Sequence, residues 1–147
     1  MTTTDPSDRL RTIARRTLVG VLAFTLISAV GGGVAMLATD GLGMPVAMLA
    51  NGPFSGFVGP ALILMFVVGG THALAGVLLV LRRESALLWS AVAGFGVMIW
   101  IYVETGIIAG NSWLQVIYFA TGVVELVLVL ALLGIVRWLP RRPLRNA

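Results

Sequence analysis

Long apolar runs, separated by short polar or glycine-rich breaks, make up most of the chain. From Thr17 to Thr39 there is no charged residue in 23 positions. Pro60–Leu81, Ala86–Ala109 and Trp113–Trp138 are similar, interrupted only by His72, Glu104, Glu125 and, near the last run's end, Arg137. A helix rises about 1.5 Å per residue and a bilayer's hydrocarbon core is about 30 Å thick, so runs of this length can cross it. The pattern predicts an all-α polytopic membrane protein, a four-transmembrane-helix bundle. Its spans are 17–39, 60–81, 86–109 and 113–138, in a single domain (17–147) that follows an N-terminal segment, 1–16. A cleaved signal peptide is the competing reading of the first run. Signal peptides carry apolar regions of about 7–15 residues, and this run is longer, with a weak small-x-small site near Ala35–Ala38. A retained span is the expectation.

The breaks differ in kind. Asp5-Pro6-Ser7-Asp8 reads as a flexible start or a helix cap, Arg82-Arg83-Glu84-Ser85 and Gly110-Asn111-Ser112 as tight turns. Pro60 falls in a first helical turn, where its missing N–H does no harm. Residues 40–59 are unusual: punctuated by glycine and proline, yet largely apolar. A water-exposed linker would be more polar. A loop lying in the interface, or folding back over the bundle to cap a cavity, fits better.

Composition agrees. The chain is 59% hydrophobic and 11% charged, against roughly 45–50% and 25% in soluble domains; lipid must act as solvent for much of it. Charge then orients the spans. The ten basic residues are all arginine, and with six acids they give a net charge of +4. Four precede the first run, two lie between the second and third, and four sit at or after the end of the fourth. Four spans place every arginine on one side, which the positive-inside rule assigns to the cytoplasm, with both termini inside. Three or five spans would split the clusters. This topogenic role accounts for the basic charge, so nucleic-acid binding is not expected. The absence of cysteine removes disulfides, thiolate catalysis and iron–sulfur clusters.

Three ionisable residues lie inside the runs: His72, Glu104 and Glu125. Charges in hydrocarbon cost roughly 2.5–3.5 kcal/mol each on insertion scales, so each calls for a partner or a cavity. His72 is about 20 Å below Gly59 and Glu125 about 18 Å below Trp113, one mid-membrane level; Glu104 is about 8 Å below Ala109. Tyr118, Thr121, Gly122 and Glu125 share a helical face, as do Trp100 and Glu104, and Gly69, His72 and Gly76. With Asn111 and Gln115 near the outer end, these residues suggest a polar column from the outer mouth to the membrane centre. The functional reading makes His72, Glu104 and Glu125 acid–base or proton-relay groups, with Trp100, Asn111, Gln115, Tyr118 and Thr121 lining a ligand site. The structural reading makes them hydrogen-bonding ties between helices, each worth about 0.6–2 kcal/mol. No close metal-ligand spacing such as Glu-x-x-His occurs, and no nucleotide or nucleophile motif, so neither metal nor cofactor is expected. Trp89, Trp113 and Trp138 read as interfacial anchors. The Gly52–Gly56 and Gly106–Gly110 pairs, and Ala86, Ser90 and Gly94, have the spacing of tight helix packing.

The stretches LANGPFSGFVGPALIL (49–64), VVGGTHALAGVLLVLRR (67–83), GFGVMIWIYVETG (94–106) and SWLQVIYFATG (112–122) resemble a widespread group of small bacterial membrane proteins, common in actinobacteria. Where that group carries Pro-Gly and Gln-Pro, this chain has Gly59-Pro60 and Gln115-Val116. The resemblance implies a four-helix protein of the bacterial inner membrane and no particular activity. The leading expectation is a bundle that binds a small apolar or amphipathic molecule in an outward-opening cavity reaching His72 and Glu125, with acid–base chemistry a subset of that reading. The alternatives are a non-catalytic accessory subunit of a larger membrane complex, and a proton-coupled transporter working as a homodimer. The first run has no acid, which counts against the transporter. Membrane lipids are partners on every reading.

Overall fold

Each apolar run forms a helix in the computed structural model, which describes residues 6–108 and 112–135. Helix α1 is Pro6–Ala38. Helix α2 is the span Val58–Val80, with an internal π-helical stretch, Ile63–Gly69. Helix α3 is Ala86–Ile108 and α4 is Trp113–Leu132. All four, among the described residues, are long and apolar enough to cross a bilayer. The chain is an all-α membrane protein, a four-helix bundle.

The boundaries differ from the sequence expectation at two places. Helix α1 starts at Pro6, so Arg9, Arg11, Arg15 and Arg16 lie on it rather than in a separate segment. Pro6 suits a first turn, and Asp8 in that turn complements the helix dipole. At about 50 Å, α1 is longer than the hydrocarbon core, so its arginine-bearing start extends past the apolar layer. Helix α4 ends at Leu132, short of the expected 138. Gly134 takes φ +74°, and the Gly134 and Ile135 N–H groups return to the Ala131 and Leu130 carbonyls. That left-handed glycine closes the helix. Trp138 and the tail arginines lie outside the described residues.

The helices pack in a ring, α1 on α2, α2 on α3, α3 on α4 and α4 back on α1. Each presents a buried stripe at three- and four-residue spacing: Leu18, Leu22, Thr25 and Ala29 on α1; Val68, His72, Ala75 and Leu79 on α2; Ala86, Ser90, Ala93 and Val97 on α3; Gly122, Glu125 and Val129 on α4. The outer faces expose Ile27, Phe66, Leu88, Ile99 and Val116. Water would not tolerate so continuous an apolar exterior; lipid does.

Two apolar layers divide the interior. In the half nearer the arginines, Leu18, Leu22, Ala75, Leu79, Ala86, Ala93 and Val129 form a filled core. In the half nearer the 39–57 connection, Ala29, Val68, Val97 and Ile101 pack with Leu64, Trp100 and Tyr118. Between them α3 and α4 make a close crossing. A Cβ on Gly122 would lie 2.8 Å from the Gly94 carbonyl and 2.6 Å from Met98 Cγ. The connection folds back over the bundle, with Leu49 of its single 3-10 turn (Val46–Leu49) and Phe57 both buried.

Candidate functional site: a buried Thr–His–Glu cluster beneath an apolar cavity

Thr25, His72 and Glu125 meet between the two layers, all fully or almost fully buried. The π-helical stretch prepares the α2 side. Short π segments inside α-helices are often found at functional positions. Just beyond this one, Thr71 Oγ1 donates toward the Val67 and Val68 carbonyls at 2.7 and 3.0 Å and His72 Nδ1 to the Val68 carbonyl at 2.7 Å, while the Gly70 N–H also returns to the Val67 carbonyl. A carbonyl can only accept, so Nδ1 carries a hydrogen and the other ring nitrogen, Nε2, is left facing α4.

Nε2 lies 3.2 Å from Glu125 Oε1. The separation is that of an ion pair, although the two atoms are not aligned as a hydrogen bond. Two bare acceptors this close would repel in an apolar interior, so the pair holds one proton, on Nε2 or on the carboxyl. Thr25 Oγ1 sits 3.1 Å from the Val21 carbonyl and 3.4 Å from Oε1, so its single proton serves one acceptor at a time. Glu125 Oε2 has no hydrogen-bond partner among the described residues and lies against the α3–α4 crossing, 3.3 Å from where a Cβ on Gly94 would stand.

Above the cluster is a cavity of about 490 Å³ in the half nearer the 39–57 connection. Every span contributes to it. Thr25 and Val68 lie at its deep end with Val97; Trp100, Ile101, Glu104 and Ile108 of α3 form one wall; Ser112, Leu114, Gln115 and Tyr118 face in from the start of α4. Leu42, Met44 and Met48 of the connection close over it. Leu42, Met48, Ser112 and Leu114 line it and are also exposed, so it reaches the surface where the connection meets α4. Phe24 and Tyr118 stack across the α1–α4 seam with ring centroids 6.2 Å apart.

The structure therefore separates residues that the sequence grouped. Glu104, Trp100, Gln115 and Tyr118 line the cavity. His72 and Glu125 pair as expected at one depth but stand behind its lining, reached through Thr25 and Val68. Thr121 turns its hydroxyl to the Tyr118 carbonyl at 2.7 Å and does not line the cavity. Gln115 has a further role: its Oε1 accepts the Ser112 N–H at 2.9 Å in a capping box that starts α4. Asn111 lies outside the described residues. Glu104 makes no hydrogen bond or ion pair with any described residue. Among the described residues no group of His, Asp and Glu is arranged to hold a metal.

Sequence reasoning missed Thr25. It lies about 20 Å from Ala38 along α1, the level deduced for His72 and Glu125; as an uncharged residue in an uncharged run, it drew no attention. The methionines over the cavity, Met36, Met44 and Met48, were equally silent.

The fold and site define a multi-pass membrane protein with a pocket in one half of its bundle. No protein-family model, curated protein or solved structure matches the chain.

Proposed function

We propose that the protein binds a small apolar or amphipathic molecule within the membrane, in the cavity between Thr25 and Glu104. The observation that carries this reading is the cavity itself. Its volume, about 490 Å³, falls in the range of drug-sized ligand sites, roughly 300–1,000 Å³, which are mostly apolar with few polar groups. Three methionines at its rim and lid, Met36, Met44 and Met48, give adaptable contact to a variable apolar body.

The positive-inside rule supports a cytoplasmic location for Arg9, Arg11, Arg15, Arg16, Arg82 and Arg83. The cavity then opens to the outer side of what we take to be a bacterial cytoplasmic membrane. The filled core on the arginine side favours one-sided binding over passage across the membrane. Binding is preferred to turnover because the proton-holding His72–Glu125 pair stands behind the cavity wall rather than in it.

Trp100 gives the test. A brominated apolar probe, 10-bromodecanol, should quench fluorescence saturably at one probe per chain, and Trp100→Phe should lose that component. Quenching that never saturates and is unchanged in Trp100→Phe would mean the probe sees only lipid-facing tryptophans.

A further inference from the structure

Among the described residues, the cavity's lining carries one carboxyl side chain, Glu104. That carboxyl has no hydrogen-bond or ion-pair partner among the described residues. Every described arginine lies on the far side of the filled core, on the first turns of α1 or in the α2–α3 turn. Arg15, for one, is tied to the Leu79 carbonyl at that end. No described residue is placed to neutralise Glu104. Beside it are aromatic groups: Trp100 is one turn deeper on the same face of α3, and Tyr118 faces in from α4. A carboxylate with indole and phenol rings around an apolar chamber is the chemistry that receives an organic cation. The carboxylate supplies the counter-charge and the ring faces attract the cation further, most strongly when water is excluded.

We infer that the ligand is a monovalent organic cation, an amine or quaternary ammonium on a single apolar body, with its head between Glu104, Trp100 and Tyr118. This rests on the cavity being a binding site. Glu104 sits about one turn from the α3 end and about 10 Å above Val97. The head therefore lies near the mouth, and the body points inward between Val68, Val97 and Ile101 toward Thr25. An anion of the same shape meets the Glu104 carboxylate, and a neutral alcohol gains the apolar contacts alone.

The test uses three probes with one chain length: decyltrimethylammonium, decanoate and decanol. Each is titrated calorimetrically into the full chain in nanodiscs of zwitterionic lipid, so that membrane charge favours none of them. Decyltrimethylammonium is expected to bind one per chain, at least tenfold tighter than decanol, with decanoate weakest. Glu104→Gln should bring the cation to the affinity of decanol while leaving decanol unchanged. If wild type binds decanol as tightly as the cation, or Glu104→Gln keeps the cation preference, the cation assignment is overturned and the cavity reading stands. If none of the three binds wild type, the cavity reading fails and takes this inference with it. The wild-type series decides between these outcomes even if the variant does not fold.

Discussion

Glu125 Oε1 stands 3.2 Å from His72 Nε2, with both side chains wholly shielded from solvent. Since His72 Nδ1 is committed to the Val68 carbonyl, the contact requires a proton that one of the two residues holds. α2 and α4 pack on their ring neighbours rather than broadly on each other, so the pair ties together opposite corners of the bundle. Thr25 adds a third corner from α1.

This geometry sets the order of substitutions at 125. In Glu125→Gln the amide can donate to Nε2, so the loss should stay near 1 kcal/mol or below, the scale of hydrogen bonds between membrane helices. Glu125→Leu keeps apolar volume but leaves Nε2 a buried acceptor without a donor, at a cost of about 1–3 kcal/mol. Reversible unfolding in mixed micelles should rank wild type, Gln and Leu in that order. A Leu variant more stable than Gln would show that no proton is shared.

The α3–α4 crossing predicts a large effect from one methyl group. Gly122→Ala puts a carbon 2.8 Å from the Gly94 carbonyl oxygen, a backbone atom that cannot swing aside. Overpacking of this kind costs about 1–3 kcal/mol. Gly96→Ala, on the same helix pair with open space around its Cβ position, should stay within about 0.5 kcal/mol of wild type. Thermal unfolding in detergent separates the two; equal effects would place the crossing elsewhere.

Much of this was readable in the chain, and the limits are physical. Hydropathy located the four spans because lipid imposes a length on every crossing. Helical rise put His72 and Glu125 at one depth because the spans are nearly continuous helices. Periodicity could not decide which residues line a void. Thr121 shares a helix face with Tyr118, yet it satisfies its hydroxyl on its own backbone and leaves the cavity to its neighbour. Gln115 shows the same limit, since a polar side chain one turn into a helix serves a cap as readily as a ligand. The π-helical stretch has no sequence signal of its own: Ile63–Gly69 reads as ordinary apolar helix.

Gln115 gives a prediction of its own. Gln115→Glu keeps an oxygen for the Ser112 N–H and should preserve the start of α4, whereas Gln115→Leu loses half of the capping box. Loss of a cap costs roughly 0.5–2 kcal/mol. Amide exchange at residues 112–115 should quicken in the Leu variant alone. Equal protection in all three proteins would assign Gln115 to the cavity only.

Orientation is checked with single cysteines, because the chain has none of its own. Ser55, exposed in the 39–57 connection, and Ser85, exposed in the α2–α3 turn, should label from opposite sides of intact cells: Ser55→Cys from outside, Ser85→Cys only after permeabilisation. Labelling of both from one side would contradict a crossing by α2, the one span between these positions.

Native mass spectrometry of the protein released from its own membrane tests the central claim most directly. Wild type should carry one retained small molecule per chain. Ser28→Phe, which puts an aromatic ring into the cavity from α1, should fly at its bare mass with its helices intact by circular dichroism. A bare wild-type chain, or one adduct shared equally by wild type and Ser28→Phe, would contradict a ligand site between Thr25 and Glu104.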